Sequence, residues 1–273
     1  MTSKRRILLA VVSDLHVGST VALCPPGGIA LEDGGKYQPN VAQVWIWDQW
    51  LRYRDILAGY RKAGWKVVLL VNGEFIDGLH HESSQLAANS PEIMASAAVE
   101  VMMPMVNTCD ALYVTRGTEA HSGKGAASDY AIARELGAVR DPESGQCAAY
   151  QWRIDVGGVI VDAAHHVSGG SRMTTRGNNI RAEMQDAILA NVAPDVMIRS
   201  HVHTYADTGR MFWPRQAVVT PAWQLKSAFA HRVTRLPAKE VGGVVFEIED
   251  GAAGMVKPIT FRVPERAAHV AKV

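Results

Sequence analysis

A run of strand-forming residues that ends in a carboxylate or a histidine recurs along this chain. Residues 7–12 (Ile-Leu-Leu-Ala-Val-Val) lead into Asp14-Leu15-His16. Residues 67–71 lead into Gly73-Glu74-Phe75-Ile76-Asp77. Residues 159–162 precede His165-His166, and residues 196–199 precede His201-Val202-His203. Strand ends of an α/β sheet converge on one crevice. Carboxylates and imidazoles gathered there describe a metal site, and the number of donors suits two ions.

Composition narrows the class. The chain has 273 residues, 48% of them hydrophobic, with no low-complexity block, so it should build a globular core. Lys and Arg number 28 against 27 Asp and Glu, so no net field selects an anionic polymer. Charge therefore gives no support to nucleic acid as a partner, although a nucleic-acid ester stays among the candidate substrates. Cys24, Cys109 and Cys147 are odd in number and form no CxxC pair, which speaks against a disulfide framework and for a reducing compartment. Lys4-Arg5-Arg6 before an apolar run imitates a signal peptide, but the run is short and ends at Ser13-Asp14. No stretch approaches membrane-spanning length. The expectation is a cytoplasmic protein with no signal peptide and no membrane contact; nothing specifies its oligomeric state.

The first half alternates strand and helix. Strand 6–12 is followed by an irregular Gly- and Pro-rich stretch, 18–39, and a helix over 41–63 that Asn40 can cap and Gly64 can end. Val44, Trp47 and Leu51 mark its apolar spacing, and the Trp45, Trp47, Trp50 group reads as packing surface. Strand 66–71 comes next. Ser90-Pro91-Glu92 starts a helix that should reach Met103, before Pro104. Strand 111–115 delivers Arg116-Gly117-Thr118-Glu119-Ala120-His121, and Ser128 and Gly137 bracket a short helix. In the second half, 149–156 and 159–164 flank Gly157-Gly158 as a hairpin. A polar loop over 168–178, a helix near 179–191 and strands at 196–200, 216–220, 242–249 and 256–262 complete the chain. Crossovers first and hairpins later predict parallel strands followed by antiparallel ones. No linker or repeat appears, so one domain over 1–273 is expected, with packed sheets inside and helices outside.

Asp14 and His16 lie two apart on an extended segment and can point to one side. A carboxylate with an imidazole suits a borderline divalent ion. His201 and His203 share that spacing. Of His165 and His166, neighbours that point opposite ways, one is expected to be a ligand.

The ordered series Asp14-x-His16, Gly73-Glu74-x-x-Asp77, Gly117-Thr118-Glu119-Ala120-His121, His165-His166 and Ser200-His201-x-His203 resembles the calcineurin-like metallophosphoesterases. Their pattern is DxH, GDxxD, GNH[DE], a His after a strand, and GHxH. The resemblance covers roughly residues 6–205; the 178–183 helix and the 199–205 segment look most like phage-encoded members. It implies an α/β fold, a four-layer αββα sandwich of two mixed β-sheets flanked by helices. It implies two divalent metal ions, Mn²⁺ first among Mn²⁺, Fe, Zn²⁺, Co²⁺ and Ni²⁺. Asp14, His16 and His203 would hold one ion, His165 and His201 the other, and Glu74 would bridge them. A hydroxide held between the ions would attack a phosphate ester in line.

Two departures from the pattern matter. Glu74 stands where the family has Asp. Thr118 and Glu119 stand where it has Asn and His. If the loop is one residue longer, Glu119 supplies the oxygen ligand and His121 the catalytic proton; otherwise the second metal site is degenerate. With Glu119 bound, about one positive charge remains on the ion pair, which favours a phosphodiester over a dianionic monoester. Asp77 is either a supporting residue or a turn residue before Gly78. Arg172 and Arg176 in the polar loop could read phosphate, or be solvated charges. Asn178 and Asn179 suit the cap of the next helix. His80-His81 adjoins the Glu74 turn, and His231 reads as a surface residue. The reading is a metal-dependent phosphoesterase, with a catalytically weak or inactive scaffold of the same fold as the alternative, and an amide-cleaving metal hydrolase as a weaker third.

Overall fold

A computed structural model, which describes residues 5–80, 83–167, 175, 177–233, 240–250 and 257–264, places strands at the apolar runs. In chain order the strands are β1 (Arg6–Val12), β2 (Ile29–Ala30), β3 (Lys36–Tyr37), β4 (Lys66–Asn72), β5 (Ala111–Thr115), β6 (Gln151–Val156), β7 (Val159–Ala164), β8 (Val196–Arg199), β9 (Ala206–Asp207), β10 (Gln216–Val219), β11 (Glu240–Glu249) and β12 (Lys257–Pro264). The helices are α1 (Val41–Lys62), α2 (Pro91–Val106), α3 (Glu119–Ser122), α4 (Ala127–Glu135), α5 (Asn178–Leu189) and α6 (Ala228–Val233).

Two five-stranded sheets form, ordered β12-β11-β1-β4-β5 and β6-β7-β8-β10-β9. β1, β4 and β5 run parallel, as do β7, β8 and β10. The β6/β7 and β11/β12 pairs are antiparallel. Side chains alternate across a strand, and that alternation sets the layers. Ile7, Leu9 and Val11 of β1 pack with Val161 and Ala163 of β7 and Ile198 of β8, between the sheets. Leu8, Ala10 and Val12 face the other way, onto Ile46, Trp50 and Leu57 of α1 and Val101 and Met105 of α2. Met197, Ala217 and Val219 on the far face of the second sheet are covered by Ile180 and Met184 of α5. The result is the αββα sandwich. β1 and β4 read as continuous apolar runs because both of their faces are buried. No helix among the described residues is long and apolar enough to cross a membrane.

Several expectations need correction. Asn40 does cap α1, in a reciprocal box with Gln43. The buried stripe of that helix is Ile46, Trp50, Tyr53 and Leu57, while Val44 is 48% exposed. The spacing was right but the face is rotated, because Val and Leu pattern alone does not say which stripe meets the sheet. α2 continues through Pro104 to Val106. The missing N–H would have bonded Glu100, an exposed position whose carbonyl water can satisfy. Gly177, rather than either Asn, is the N-cap of α5, which begins at Asn178. The irregular 18–39 stretch contains the small β2/β3 pair.

Trp50 locks α1 to the core. Its indole Nε1 donates to the Val101 carbonyl at 3.0 Å, and its ring meets Trp223 edge-on at 4.7 Å. Trp50→Ala is expected to cost about 3–5 kcal/mol, read by urea unfolding as a lower midpoint; an unchanged midpoint would contradict this packing.

Candidate metal centre

The parallel strands of both sheets deliver their carboxyl ends to the same edge. β1 ends before Asp14 and His16, β4 before Glu74 and Asp77, β5 before Thr118 and His121, β7 before His165, and β8 before His201 and His203. Backbone bonds lace the first two loops together: Asp14 N to Gly73 O at 3.0 Å, Leu15 N to Glu74 O at 2.8 Å and Asp77 N to Val17 O at 3.0 Å. Asn72 joins the sheets. Its Nδ2 donates to Ala164 O at 3.0 Å and Ser200 Oγ at 2.6 Å, and its Oδ1 accepts from Thr115 Oγ1 at 2.8 Å. Its carbonyl accepts from Ser13 Oγ at 3.0 Å and His165 Nδ1 at 2.6 Å.

The donors gather in overlapping groups whose candidate ligand atoms lie within 4.8 Å of one another. Asp14, His16, Glu74 and His203 form one; Glu74, His165 and His201 form another. Glu74 is common to both. His203 Nε2 stands 3.2 Å from Asp14 Oδ1, and His16 Nε2 is 3.4 Å from Glu74 Oε2 and 3.0 Å from His203 Nε2. His165 Nε2 is 3.4 Å from Glu74 Oε1. His201 donates its backbone N–H to Asp14 Oδ2 at 3.3 Å, and its ring lies edge-on to His165 at 5.4 Å. His165 is buried and faces the cluster, whereas His166 is exposed. His16, Asp77 and His121 form a third group. There Asp77 Oδ1 already accepts from His16 Nδ1 at 3.0 Å and Gln224 Nε2 at 3.2 Å, which makes Asp77 an orienting residue for His16.

Whether these residues suit metal ions is decided by atoms left over. Asp14 Oδ1, Glu74 Oε2 and His165 Nε2 are buried and form no hydrogen bond among the described residues. Buried polar atoms normally find partners, and three orphans facing one space fit divalent cations held by carboxylate oxygen and imidazole nitrogen. Two of the imidazoles that turn Nε2 inward are fixed by their other nitrogen, His16 on Asp77 and His165 on the Asn72 carbonyl.

Backbone strain concentrates at the same place. Asp14, His16, Glu74, His201 and His203 all have positive φ, between 46° and 74°, and make up five of the eight such non-glycine residues described. That conformation is costly for a side chain and tends to mark functional sites. Gly73 and Gly117 leave the room. A Cβ on Gly73 would sit 2.4 Å from His165 Nδ1, and one on Gly117 2.3 Å from Glu74 Cγ.

The 117–121 loop departs from expectation. Glu119 is exposed at the start of α3, and its Oε1 accepts from Gly125 N at 2.8 Å. It belongs to none of the three donor groups, so the oxygen expected from it is absent from the cluster. A helix begins at Glu119, which turns its side chain outward. Thr118 faces inward instead. Its backbone N–H, at 3.0 Å, and its hydroxyl both donate to Glu74 Oε1. His121 reaches the rim: Nδ1 donates to Asp77 O at 2.7 Å, and Nε2 lies 3.9 Å from Glu74 Oε2. Asp129, which the sequence did not single out, holds the loop by accepting from Gly117 N at 2.7 Å and Ser122 Oγ at 2.7 Å. Arg172 and Arg176 lie outside the described residues.

The charges are strongly coupled. Burial pushes the Asp14 carboxyl up, but His203 and His165 outweigh it and hold the group well below the usual range. Glu74 is likewise held down against burial by His165, His16 and His121. Burial works against charge on His165, yet Asp14 and Glu74 carry its pKa up to about 9. Burial and the nearby His16 press His121 down to about 4.

No protein-family model matches this chain, and no curated protein matches it in sequence. Solved structures do align with it. A single mutant of Vps29 from Entamoeba histolytica aligns over 94% of this chain and 99% of its own, at 13% identity and TM-score 0.39. Vacuolar protein sorting 29 from Cryptosporidium parvum aligns over 96% and 100%, at 12% identity and TM-score 0.41. The sulfate thiohydrolase SoxB from Thermus thermophilus aligns over 96% of this chain and 57% of its own, at 13% identity and TM-score 0.44. These are distant likenesses of chain path and assign no activity.

The raised pKa of His165 carries a measurable consequence. Below about 9 the imidazole is protonated in the metal-free protein, and a ligand must be deprotonated. At pH 8, binding of a divalent ion is expected to release about one proton from this residue, with the release fading and the affinity levelling off above pH 9. Calorimetry in buffers of different ionisation heat measures it; metal binding without proton release at pH 8 would contradict the assignment.

Proposed function

We propose that this chain is a dinuclear metal-dependent phosphoesterase of the calcineurin-like kind, built as one domain over residues 1–273 and acting on a phosphodiester. The observation that carries the reading is the set of buried atoms of Asp14, Glu74 and His165 that form no hydrogen bond among the described residues, ringed by His16, His201 and His203 beyond the ends of β1, β4, β7 and β8. When bound, two divalent ions, Mn²⁺ first, supply an activated water and stabilise charge on the phosphate oxygens. Asp14, His16 and His203 would hold one ion and His165 and His201 the other, with Glu74 placed to serve both. Thr118 fixes Glu74 by holding Oε1, so that Oε2 is turned toward His16 and His121. His121 is oriented by the Asp77 carbonyl with Nε2 toward the cluster, where it can deliver a proton to a leaving alkoxide.

Glu119 does not supply the charge from which a diester was expected, and Asp77 is the residue that supports that preference instead. Asp77 is buried, and His16 holds its carboxyl low against burial, so three carboxylates (Asp14, Glu74, Asp77) surround the cluster. Asp14 and Glu74 alone would leave two divalent ions about two positive charges; Asp77, one step out behind His16, offsets part of that and moves the site toward a monoanionic diester.

With Mn²⁺, the purified chain is expected to turn over bis-(p-nitrophenyl) phosphate faster than p-nitrophenyl phosphate. His203→Ala should lower kcat/KM by about 100-fold or more, since even residues behind metal ligands cost 10- to 100-fold. Faster turnover of the monoester would overturn the diester preference. No retained metal and no turnover would favour a binding scaffold of the same fold.

A further inference from the structure

Asp129, in the first turn of α4, is a fully buried carboxylate. Its Oδ1 accepts from Phe75 N at 3.2 Å, one residue after Glu74. Its Oδ2 accepts from Gly117 N and from Ser122 Oγ, both at 2.7 Å. Gly117 and Ser122 are the two ends of the turn that carries Thr118 and His121. One carboxylate therefore closes that turn on itself and fastens it to the Glu74 turn. No cation pairs with Asp129 among the described residues, and a buried carboxylate without one is costly. The hydrogen bonds that offset this cost all run to the two turns.

Little slack is left between these turns. A Cβ on Gly78 would sit 2.0 Å from His121 O, so the backbones touch there. Beside that contact, His121 Nδ1 donates to Asp77 O at 2.7 Å. The chain beyond the turn is pinned as well. Gly125 donates its N–H to Glu119 Oε1 at 2.8 Å and accepts from Arg116 Nη1 at 2.6 Å. A shift of Gly117 or Ser122 would carry the His121 ring off the Asp77 carbonyl. An amide in place of the Asp129 carboxylate has one acceptor oxygen, so its NH₂ would face the N–H of either Phe75 or Gly117.

We propose that Asp129 is a positioning residue for proton transfer: by joining the two turns it sets where His121 stands relative to Glu74. This rests on the phosphoesterase reading.

The full chain with Mn²⁺ is assayed on two diesters: bis-(p-nitrophenyl) phosphate, whose nitrophenolate leaves readily without a proton, and diphenyl phosphate, whose phenolate is the poorer leaving group. Asp129→Asn is expected to lower kcat on diphenyl phosphate about tenfold or more while kcat on the nitrophenyl diester stays within about threefold and KM for both is unchanged. In a His121→Ala background the same substitution should add no further selective loss. Equal losses on both esters, or a selective loss that persists without His121, would overturn the role, since a residue that only holds the fold does not discriminate between leaving groups. Ser122→Ala removes one bond to Oδ2 and keeps the carboxylate. It should show the same selectivity at smaller size, and it carries the test if Asp129→Asn does not fold. Metal-free crystals of the variant give a readout independent of turnover: the bond from His121 Nδ1 to Asp77 O is expected to be lost, and its persistence would overturn the proposal. If the wild-type chain hydrolyses neither diester, the phosphoesterase reading fails separately, and the placing of His121 by Asp129 is judged on the crystals alone.

Discussion

Asn72 is the joint on which the candidate centre depends. It is fully buried at the end of β4, and each of its side-chain hydrogen-bonding directions crosses to another strand or its following loop. One amide thereby ties β4 to β5 within the first sheet and to the ends of β7 and β8 in the second. Its carbonyl orients both Ser13, beside Asp14, and the ring of His165. Two sheets bring the side chains of the cluster to within a few ångströms of each other only if their edges are fixed in relation to each other. A satisfied buried amide does this better than apolar contact, because a shift of either sheet would strand several polar groups at once.

Around this joint the protein accepts costs that packing alone would not select. Five residues of the cluster adopt left-handed backbone angles, and three carboxylates sit close together out of water. Histidines compensate part of the charge, as the depressed Asp14 and Glu74 and the elevated His165 show. The compensation is incomplete, since one oxygen each of Asp14 and Glu74 and one nitrogen of His165 stay without a hydrogen bond among the described residues. A cation would relieve both the repulsion and the missing bonds, so the features that cost stability here are the ones that would favour a bound metal.

Much of this was legible in the chain. Apolar runs ending in Asp, Glu or His announced β1, β4 and β8 and the residues that follow them, because a strand buried on both faces has few alternatives. Less was legible where geometry depends on a partner distant in sequence. The rotated face of α1 depends on which stripe meets β1 and β4. Glu119 looked like a ligand by residue type, but the start of α3 turns it outward, and Thr118, a weaker donor by composition, is the residue that touches Glu74. Asn72 and Asp129 carried no signal, since a buried amide and a buried carboxylate are recognisable only once the backbone groups they satisfy have been brought to them.

The central claim is that these donors form two adjacent metal sites sharing Glu74. Anomalous diffraction from crystals grown with Mn²⁺ tests it most directly. Two peaks are expected within about 2.0–2.4 Å of their ligands, one among Asp14, His16, Glu74 and His203 and one among Glu74, His165 and His201. No peak at these residues, or a metal held by Glu119 in place of Glu74, would contradict it.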